Sequence, residues 1–462
     1  MVIHTNSEVP SATARCAPLP PSRSFAGAFA STLVGNLCAQ GLGVAAGIMS
    51  ARILGSTGRG ELASVYFYPG IVAQFGIMSL EQAVCYEVCR KPSDEAAVVR
   101  SAFWLGLLIA LPQALLATWL LPLLVPPDKG HLLRHMRWFM AYVTVVIPSL
   151  TLLQADFGAL RYRRYNLLKV LPAAGYLIGM FAFWELRLAG VVAFAASALG
   201  AHVLTLLVRV CLAGRSLVSA IPDPSEMKRL MRLALRFHLP QVACILLSKA
   251  DMALIVPLLP SREVGLYVVA LAVALGQGAA TSAFVQVAFV KAASAVDRES
   301  ARGTLAVQFG VAKIGSLVIG TVFFVAAPSL IRHVFGPEFA PAVKLARWLV
   351  AAQAVMGLAQ VLDANLRALG RAWIAALAYA LALAVVVPGG LYYVPRHGLQ
   401  AMGVLMLIAS TVVLAVDTVT LAFFENVRLW RFDFRMYAPA LAALTRPRSS
   451  VRQYRPGGDG NG

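Results

Sequence analysis

The sequence has little charge and few acidic residues. Only 13% of its 462 residues are charged, against about 25% in a typical soluble domain, and Asp and Glu together number 21. A folded surface in water needs more charge than this, whereas a surface that faces lipid does not. Since 59% of the residues are hydrophobic and the mean hydropathy is +0.74, the composition predicts an all-α polytopic membrane protein.

Motifs for chemistry are also missing. The chain has no GxxxxGK[ST] loop, no HExxH and no GxSxG, and its six cysteines form neither a CxxC pair nor a Cys/His metal spacing. The predicted outer loops, 125–137 and 332–344, are short and poor in Asp and Glu, which disfavours an enzyme that acts at the membrane surface. We therefore expect no catalytic residues, no metal and no cofactor.

The net charge of +19 would suggest a nucleic acid partner in a soluble protein. Here the Lys and Arg residues lie mostly between apolar segments, and no basic groove with interleaved aromatic residues is present. This distribution is typical of membrane topology and excludes a nucleic acid partner.

Twelve apolar segments are long enough to cross a bilayer, which takes about 20 helical residues. They fall at 26–51, 62–86, 99–125, 138–160, 166–185, 188–212, 239–260, 265–291, 305–331, 345–367, 372–394 and 399–424. The predicted organisation is an N-terminal tail (1–25), a six-helix lobe (26–212), a linker (213–238), a second six-helix lobe (239–424) and a basic, largely disordered tail (425–462).

The basic residues also predict the orientation. They cluster in the connections after the second, fourth and sixth segments, with Arg90, Arg163 and Lys228 as examples, and in the C-terminal tail. Positively charged connections stay in the cytoplasm. Both tails and the linker are therefore predicted to be cytoplasmic, and the turn after the first segment is predicted to lie outside.

The two halves of the chain echo one another. Arg52-Ile-Leu-Gly-Ser-Thr-Gly-Arg-Gly-Glu-Leu62 follows the first segment, and Pro260-Ser-Arg-Glu-Val-Gly-Leu-Tyr267 follows the seventh, about 205 residues later. Six segments per half is an even number, so both halves have the same topology. We expect two pseudo-symmetric lobes, related by a pseudo-twofold along the membrane normal, with a cavity between them.

Ionisable residues inside the apolar segments are the candidates for function, because a charge in the bilayer is costly unless it is paired or faces water. Lys249 and Lys313 are predicted to lie deep in the seventh and ninth segments, and Asp251 and Asp417 lie in the seventh and twelfth. One interpretation is a hydrated cavity in the C-terminal half in which the lysines meet an anionic substrate. The other is that the aspartates neutralise the lysines and hold the helices together.

Three uncharged polar residues extend the candidate cavity into the N-terminal half. Asn36 and Gln40 are one helical turn apart in the first segment, and Gln74 lies in the second. Hydrogen bonding between helices explains them equally well.

The first turn resembles a known family. Ala51-Arg-Ile-Leu-Gly-Ser-Thr-Gly-Arg-Gly-Glu-Leu-Ala63 and its echo Val264-Gly-Leu-Tyr-Val-Val-Ala270 are similar to the corresponding turns of the polysaccharide-transport flippases, which belong to the multidrug/oligosaccharidyl-lipid/polysaccharide (MOP) exporter superfamily. The resemblance extends over about residues 26–424.

The resemblance implies a V-shaped bundle of twelve helices in a bacterial inner membrane. It implies a flippase that moves undecaprenyl-pyrophosphate-linked oligosaccharide to the outer leaflet by alternating access, for surface polysaccharide biosynthesis. Its partners would be this substrate, membrane lipids, and polymerase and other polysaccharide-assembly proteins. On the family's pattern Lys249 and Lys313 would engage the pyrophosphate, and Asp251 or Asp417 would be the coupling carboxylate. The alternative is a multidrug/cation antiporter of the same superfamily, which would favour carboxylates over lysines in its cavity.

Overall fold

The computed structural model describes residues 25–219, 221–293, 298–368 and 371–425, so both predicted tails lie almost wholly outside the described residues. Within these ranges the chain is helical and contains no strand. The α-helices are Phe25–Gly76 (α1), Leu80–Arg90 (α2), Glu95–Leu124 (α3), Leu133–Phe139 (α4), Ala141–Gly158 (α5), Tyr162–Glu185 (α6), Val191–Ala213 (α7), Ser216–Ser219 (α8), Pro224–His238 (α9), Val242–Leu258 (α10), Ser261–Ala293 (α11), Arg298–Ser329 (α12), Ala342–Ala368 (α13), Ala372–His397 (α14) and Leu399–Glu425 (α15).

The first helix is two membrane segments joined at a glycine. Gly55 has φ 67° and ψ −177° within α1, a conformation that side chains other than glycine rarely adopt. It coincides with the turn predicted between the first two segments. The second predicted segment, 62–86, is itself interrupted at 77–79, where Met78 and Ser79 have positive φ and α1 gives way to α2.

The fold is that of a multi-pass membrane protein. Nine helices within the described residues are long and apolar enough to cross a membrane. Dividing α1 at Gly55 and adding α10 and α11 supplies a helical segment for each of the twelve predicted spans. Large side chains such as Leu115, Trp119, Leu317 and Phe423 are more than two-thirds exposed, which suits a surface covered by lipid.

The helices form two lobes. In the N-terminal lobe α1 packs on α6 and α7, and α3 packs on α5; in the C-terminal lobe α13 packs on α11, α12 and α15, and α14 packs on α10 and α15. The lobes meet chiefly where α1 packs on α11. The linker helix α9 packs on α2 and α3 of the N-terminal lobe before the chain enters α10.

A reciprocal contact at this interface confirms the predicted repeat. A Cβ atom on Gly60 would lie 1.7 Å from the carbonyl oxygen of Ser261, and a Cβ atom on Gly265 would lie 1.9 Å from that of Ser56. Ser56 and Ser261, like Gly60 and Gly265, are 205 residues apart, which is the offset of the sequence echo. Equivalent residues that face one another in this way lie on a twofold axis. The two backbones approach this closely only because both residues are glycine.

Candidate functional site

The four ionisable residues predicted from the sequence lie on three helices of the C-terminal lobe. Lys249 is partly buried on α10, and Lys313 is partly buried on α12, where its Nζ is 5.1 Å from the centroid of the Phe309 ring. Asp417 is completely buried on α15.

Asp251 accepts two hydrogen bonds, neither of them from a lysine. The Tyr267 hydroxyl of α11 donates a 2.7 Å hydrogen bond to Asp251 Oδ2, and the backbone N–H of Met252 donates one of 2.7 Å to Oδ1. Asp251 and Tyr267 are both buried. The pair therefore joins α10 to α11 and satisfies a carboxyl group that would otherwise be costly inside the lobe.

A cavity of about 610 Å³ lies in the other lobe, among α1, α4, α5, α6 and α7. Its described lining contains several aromatic rings and cationic side chains but no Asp or Glu. The lining residues that carry these groups are Tyr66, Phe139, Tyr142, Tyr165, Lys169, Tyr176, His202 and Arg209.

Arg209 is the principal charge of this cavity. It projects from α7, is only 3% exposed, and donates hydrogen bonds to the carbonyl oxygen of Ser149 (2.5 Å), to Ser149 Oγ (2.5 Å) and to the carbonyl oxygen of Leu168 (2.9 Å). Its Nε has no hydrogen-bond partner, and no carboxylate lies within 4.0 Å of it, among the residues that the structure describes. A buried guanidinium that is hydrogen-bonded only by neutral acceptors, with one N–H left over, can bind an anion.

Lys169 supplies a second cation from α6. Its Nζ lies 5.5 Å from the centroid of the Tyr165 ring, one helical turn before it, and donates a 2.5 Å hydrogen bond to Asn36 Oδ1 of α1. The structure thus brings Asn36 against a cavity cation. The other two polar candidates of the N-terminal half, Gln40 and Gln74, are exposed on α1.

A continuous aromatic wall faces these cations. The ring of Tyr66 lies 6.3 Å edge-on from Tyr176 and 5.0 Å from Phe139, between centroids. Phe139 stacks on Tyr142 at 5.5 Å, and Tyr142 meets the His202 ring edge-on at 4.9 Å. Ring faces fixed by mutual packing form a preorganised apolar surface in the cavity that also contains the two cations.

A second cavity, of about 420 Å³, lies towards the predicted cytoplasmic end of the same lobe and shares Arg209 as a wall. Arg161 closes part of it with a bidentate ion pair to Glu95, with N–O distances of 2.7 and 2.8 Å. Asp156 pairs with Arg164 at 3.0 Å and lies 3.6 Å from Arg161. Arg209 therefore lines both cavities.

The lobes are locked together at the Gly55 end, the predicted outer side. Lys129, in the connection before α4, is 1% exposed, and its ammonium donates hydrogen bonds to the carbonyl oxygens of Leu259 (2.7 Å) and Val256, where α10 ends. On the other side of the interface, Arg52 of α1 donates to the carbonyl oxygen of Val334 (2.7 Å) and to that of His333. The C-terminal lobe thus provides backbone carbonyls for two cations of the N-terminal lobe, and the structure is closed at this end.

The sequence analysis missed the two cavity cations. Its candidate cations were Lys249 and Lys313 of the C-terminal half, whereas Arg209 is buried in the N-terminal half and lines the cavity there together with Lys169. Arg209 lies within the apolar run of the sixth segment. A charged residue at such a position indicates a functional role, and this was the signal by which it could have been found. A charged side chain near the end of a membrane segment usually reaches the interface between membrane and water. The Arg209 side chain instead points into the lobe, where it donates hydrogen bonds to α5 and α6.

Comparisons with known proteins agree on the family and the fold. Residues 49–344 match the sequence family described as "Polysaccharide biosynthesis protein", and no curated protein matches the chain significantly. Among solved structures, the lipid II flippase MurJ in an inward closed conformation is 12% identical with a TM-score of 0.70, covering 91% of this chain and 93% of that one.

Two transporters of the multidrug and toxin type are also similar. An inward-facing multidrug resistance MATE family transporter of the MOP superfamily is 15% identical with a TM-score of 0.63, covering 90% of this chain and 96% of that one. A eukaryotic MATE transporter is 14% identical with a TM-score of 0.58, covering 91% and 99%. At these identities the likeness concerns the fold.

Proposed function

The chain belongs to the polysaccharide biosynthesis protein family and has the MOP transporter fold that its first turn predicted, and on this premise we propose that it flips a lipid-linked oligosaccharide across the inner membrane. The substrate we propose is an undecaprenyl-pyrophosphate-linked oligosaccharide used in surface polysaccharide biosynthesis. The protein moves this molecule without altering its covalent bonds.

The observation that supports this substrate is the cavity of the N-terminal lobe. Arg209 and Lys169 present positive charge where no described lining residue is acidic, and a pyrophosphate is an anion that guanidinium and ammonium groups bind well. The aromatic wall offers faces against which the C–H faces of sugar rings can pack. A volume of about 610 Å³ suits the head group, namely the pyrophosphate and its first sugars, rather than the lipid tail.

The residues of the C-terminal lobe complete the proposal. Lys249 and Lys313 are partly buried, and in this proposal they receive the anionic part of the substrate as it leaves the N-terminal lobe. Asp251 and Asp417, which are buried in the same lobe, are the proposed coupling carboxylates.

The transport cycle is proposed to be alternating access. The lobes would rock against one another, and the Gly60–Gly265 contact and the closure by Lys129 and Arg52 would have to open towards the outside. A coupling ion can drive this cycle only by binding the two states with different affinity. Both termini are proposed to be cytoplasmic, and polymerase and other assembly proteins are proposed to act on the product.

Transport by the purified protein tests the proposal. Proteoliposomes would contain the protein and a fluorescent undecaprenyl-pyrophosphate-linked oligosaccharide, and a membrane-impermeant glycosidase added outside would report the fraction of substrate in the outer leaflet. We expect that fraction to rise with time to include the inner-leaflet pool. Arg209→Gln and Lys169→Gln should each weaken substrate binding about 10- to 150-fold, because a hydrogen bond to a charged group contributes about 1.5–3 kcal/mol.

Matched controls separate a site from a general loss of charge. Arg209→Lys should retain part of the activity, and Lys344→Gln, at an exposed lysine, should retain all of it. Unchanged flipping in the Arg209→Gln/Lys169→Gln double variant would remove the cavity from the mechanism. Efflux of the cationic dye ethidium without oligosaccharide flipping would instead establish the antiporter alternative, which the cationic cavity disfavours.

A further inference from the structure

The linker helix α9 has an unusual outer face. The helix begins at Pro224, with Asp223 as its N-cap accepting a 2.9 Å hydrogen bond from the N–H of Ser225. Leu230 and Ala234 are buried, where α9 packs against the N-terminal lobe. The opposite face carries three exposed basic residues at four-residue spacing, Lys228, Arg232 and Arg236, and two exposed leucines, Leu235 and Leu239, of which the second directly follows the helix.

The basic residues of this face are not used by the protein itself. Lys228, Arg232 and Arg236 make no ion pair or side-chain hydrogen bond within the part of the chain that the structure describes. Arg229 differs, because it points sideways to Glu87 (2.8 Å) and Glu226 (2.5 Å). The outer cations are therefore available to a partner. The neighbouring leucines, 42% and 72% exposed, favour a partner that also offers an apolar surface.

The direction of α9 places this face at the membrane surface. The axes of α9 and α10 differ by 67°, and α10 forms most of the seventh predicted span. With α10 along the membrane normal, α9 runs closer to the plane of the bilayer than to its normal. A helix in this orientation with leucines between cations has the composition of an interfacial helix, whose apolar side chains enter the boundary between head groups and acyl chains. Cations beside that boundary attract anionic lipids.

We propose that the outer face of α9 binds the anionic phospholipid head groups of the membrane that the chain spans. The leucines insert at the head-group boundary, and the three basic side chains contact the phosphates. Because α9 packs on the N-terminal lobe and is continuous with α10 of the C-terminal lobe, bound lipid holds the connection between the lobes at the membrane surface.

Hydrogen exchange on the full chain in nanodiscs tests this proposal. One set of nanodiscs would contain phosphatidylcholine alone, and the other would have one third of it replaced by phosphatidylglycerol. We expect the amide protection of 224–238 to increase at least threefold with phosphatidylglycerol, and to lose this increase in 1 M salt, where the screening length is about 3 Å.

Two triple variants distinguish specific binding from net charge. Lys228→Gln/Arg232→Gln/Arg236→Gln should abolish the response to phosphatidylglycerol, whereas Arg90→Gln/Arg163→Gln/Arg215→Gln, at exposed arginines of the same predicted side, should retain it. Leu235→Ser/Leu239→Ser should lower protection in both lipids while leaving thermal stability in detergent unchanged. Equal protection of wild-type α9 in the two lipids would overturn the proposal. Protection that appears only in native membranes would assign this face to a protein instead.

Discussion

Loss of the Lys129 ammonium should open the outer side of the protein. Lys129 joins the lobes by donating to the carbonyl oxygens of Leu259 and Val256 at the end of α10, where unsatisfied carbonyls favour a cation. In Lys129→Met the methyl end replaces the ammonium, and both carbonyls stay buried without this donor as long as the lobes remain closed. In the open state water would reach them, so the substitution destabilises the closed state selectively.

The magnitude follows from these contacts. A hydrogen bond to a charged group contributes about 1.5–3 kcal/mol, so two would contribute about twice that. Burial lowers the pKa of Lys129, and Asp128 partly opposes this shift, so desolvation of the ammonium cancels part of the gain. We take the net effect to be that of a single bond, and since about 1.4 kcal/mol is a factor of ten, the ratio of open to closed protein should rise about 10- to 150-fold.

The assay is labelling of a cysteine in the closed interface. Ser56 is 8% exposed beside Gly265, and Ser56→Cys in a background without the six native cysteines would react with a membrane-impermeant maleimide only in the open state. Lys129→Met should accelerate labelling by the predicted factor until the open state predominates. Lys129→Arg, which keeps the donors, and Lys344→Met, which loses an exposed lysine, should label near the parental rate. A change of less than twofold for Lys129→Met at normal expression would refute the reasoning.

Two further predictions concern the contacts between segments. Gly60→Ala should lower thermal stability in detergent and abolish transport, because its Cβ would lie 1.7 Å from the carbonyl oxygen of Ser261 and overpacking typically costs about 1–3 kcal/mol. The control is Gly43→Ala, whose Cβ would have nothing within 4 Å. Equal stability of the two variants would contradict the close approach of the backbones at Gly60 and Ser261. Burial lowers the pKa of His238, whose Nδ1 lies 3.4 Å from Ser79 Oγ. The packed helix thus favours neutral imidazole, so the exchange protection factors of 224–238 should be full above pH of about 6.5 and fall as the pH drops towards the lowered pKa. His238→Gln should remove this dependence, and a parental protection that is flat from pH 7.5 to 5.5 would exclude it.

Several features of the fold follow from local properties of the sequence. Helix length and hydropathy predict the membrane segments because each must bury its own backbone hydrogen bonds in lipid. The offset of 205 residues predicts the relation between the lobes, and the structure shows why the two turns resemble one another: Gly60 and Gly265 face each other across the axis. The turn predicted between the first two segments contains the break at Gly55, but the interruption at 77–79 was not predicted.

The site was harder to predict than the fold. Arg209 and Lys169 were missed because a hydropathy pattern shows where a residue lies along a segment but does not show the direction in which its side chain points. Those directions depend on the bonds from Arg209 to α5 and α6 and on the contact of Lys169 with Asn36 of α1. The roles of Lys249, Lys313, Asp251 and Asp417 stay predictions.

The sequence by itself determined that the chain is helical and crosses a membrane many times, since both depend on the solvent and on local hydrophobicity. It also determined that the halves are repeats, since two similar turns stand 205 residues apart. Only the tertiary structure decided which polar side chains meet. Arg209 lies 60 residues from Ser149, Lys129 lies 130 residues from Leu259, and Arg52 lies 282 residues from Val334. No local sequence pattern predicts contacts between residues so far apart in the chain. They form when the helices and lobes pack together and each buried cation donates hydrogen bonds to the acceptors that lie near it.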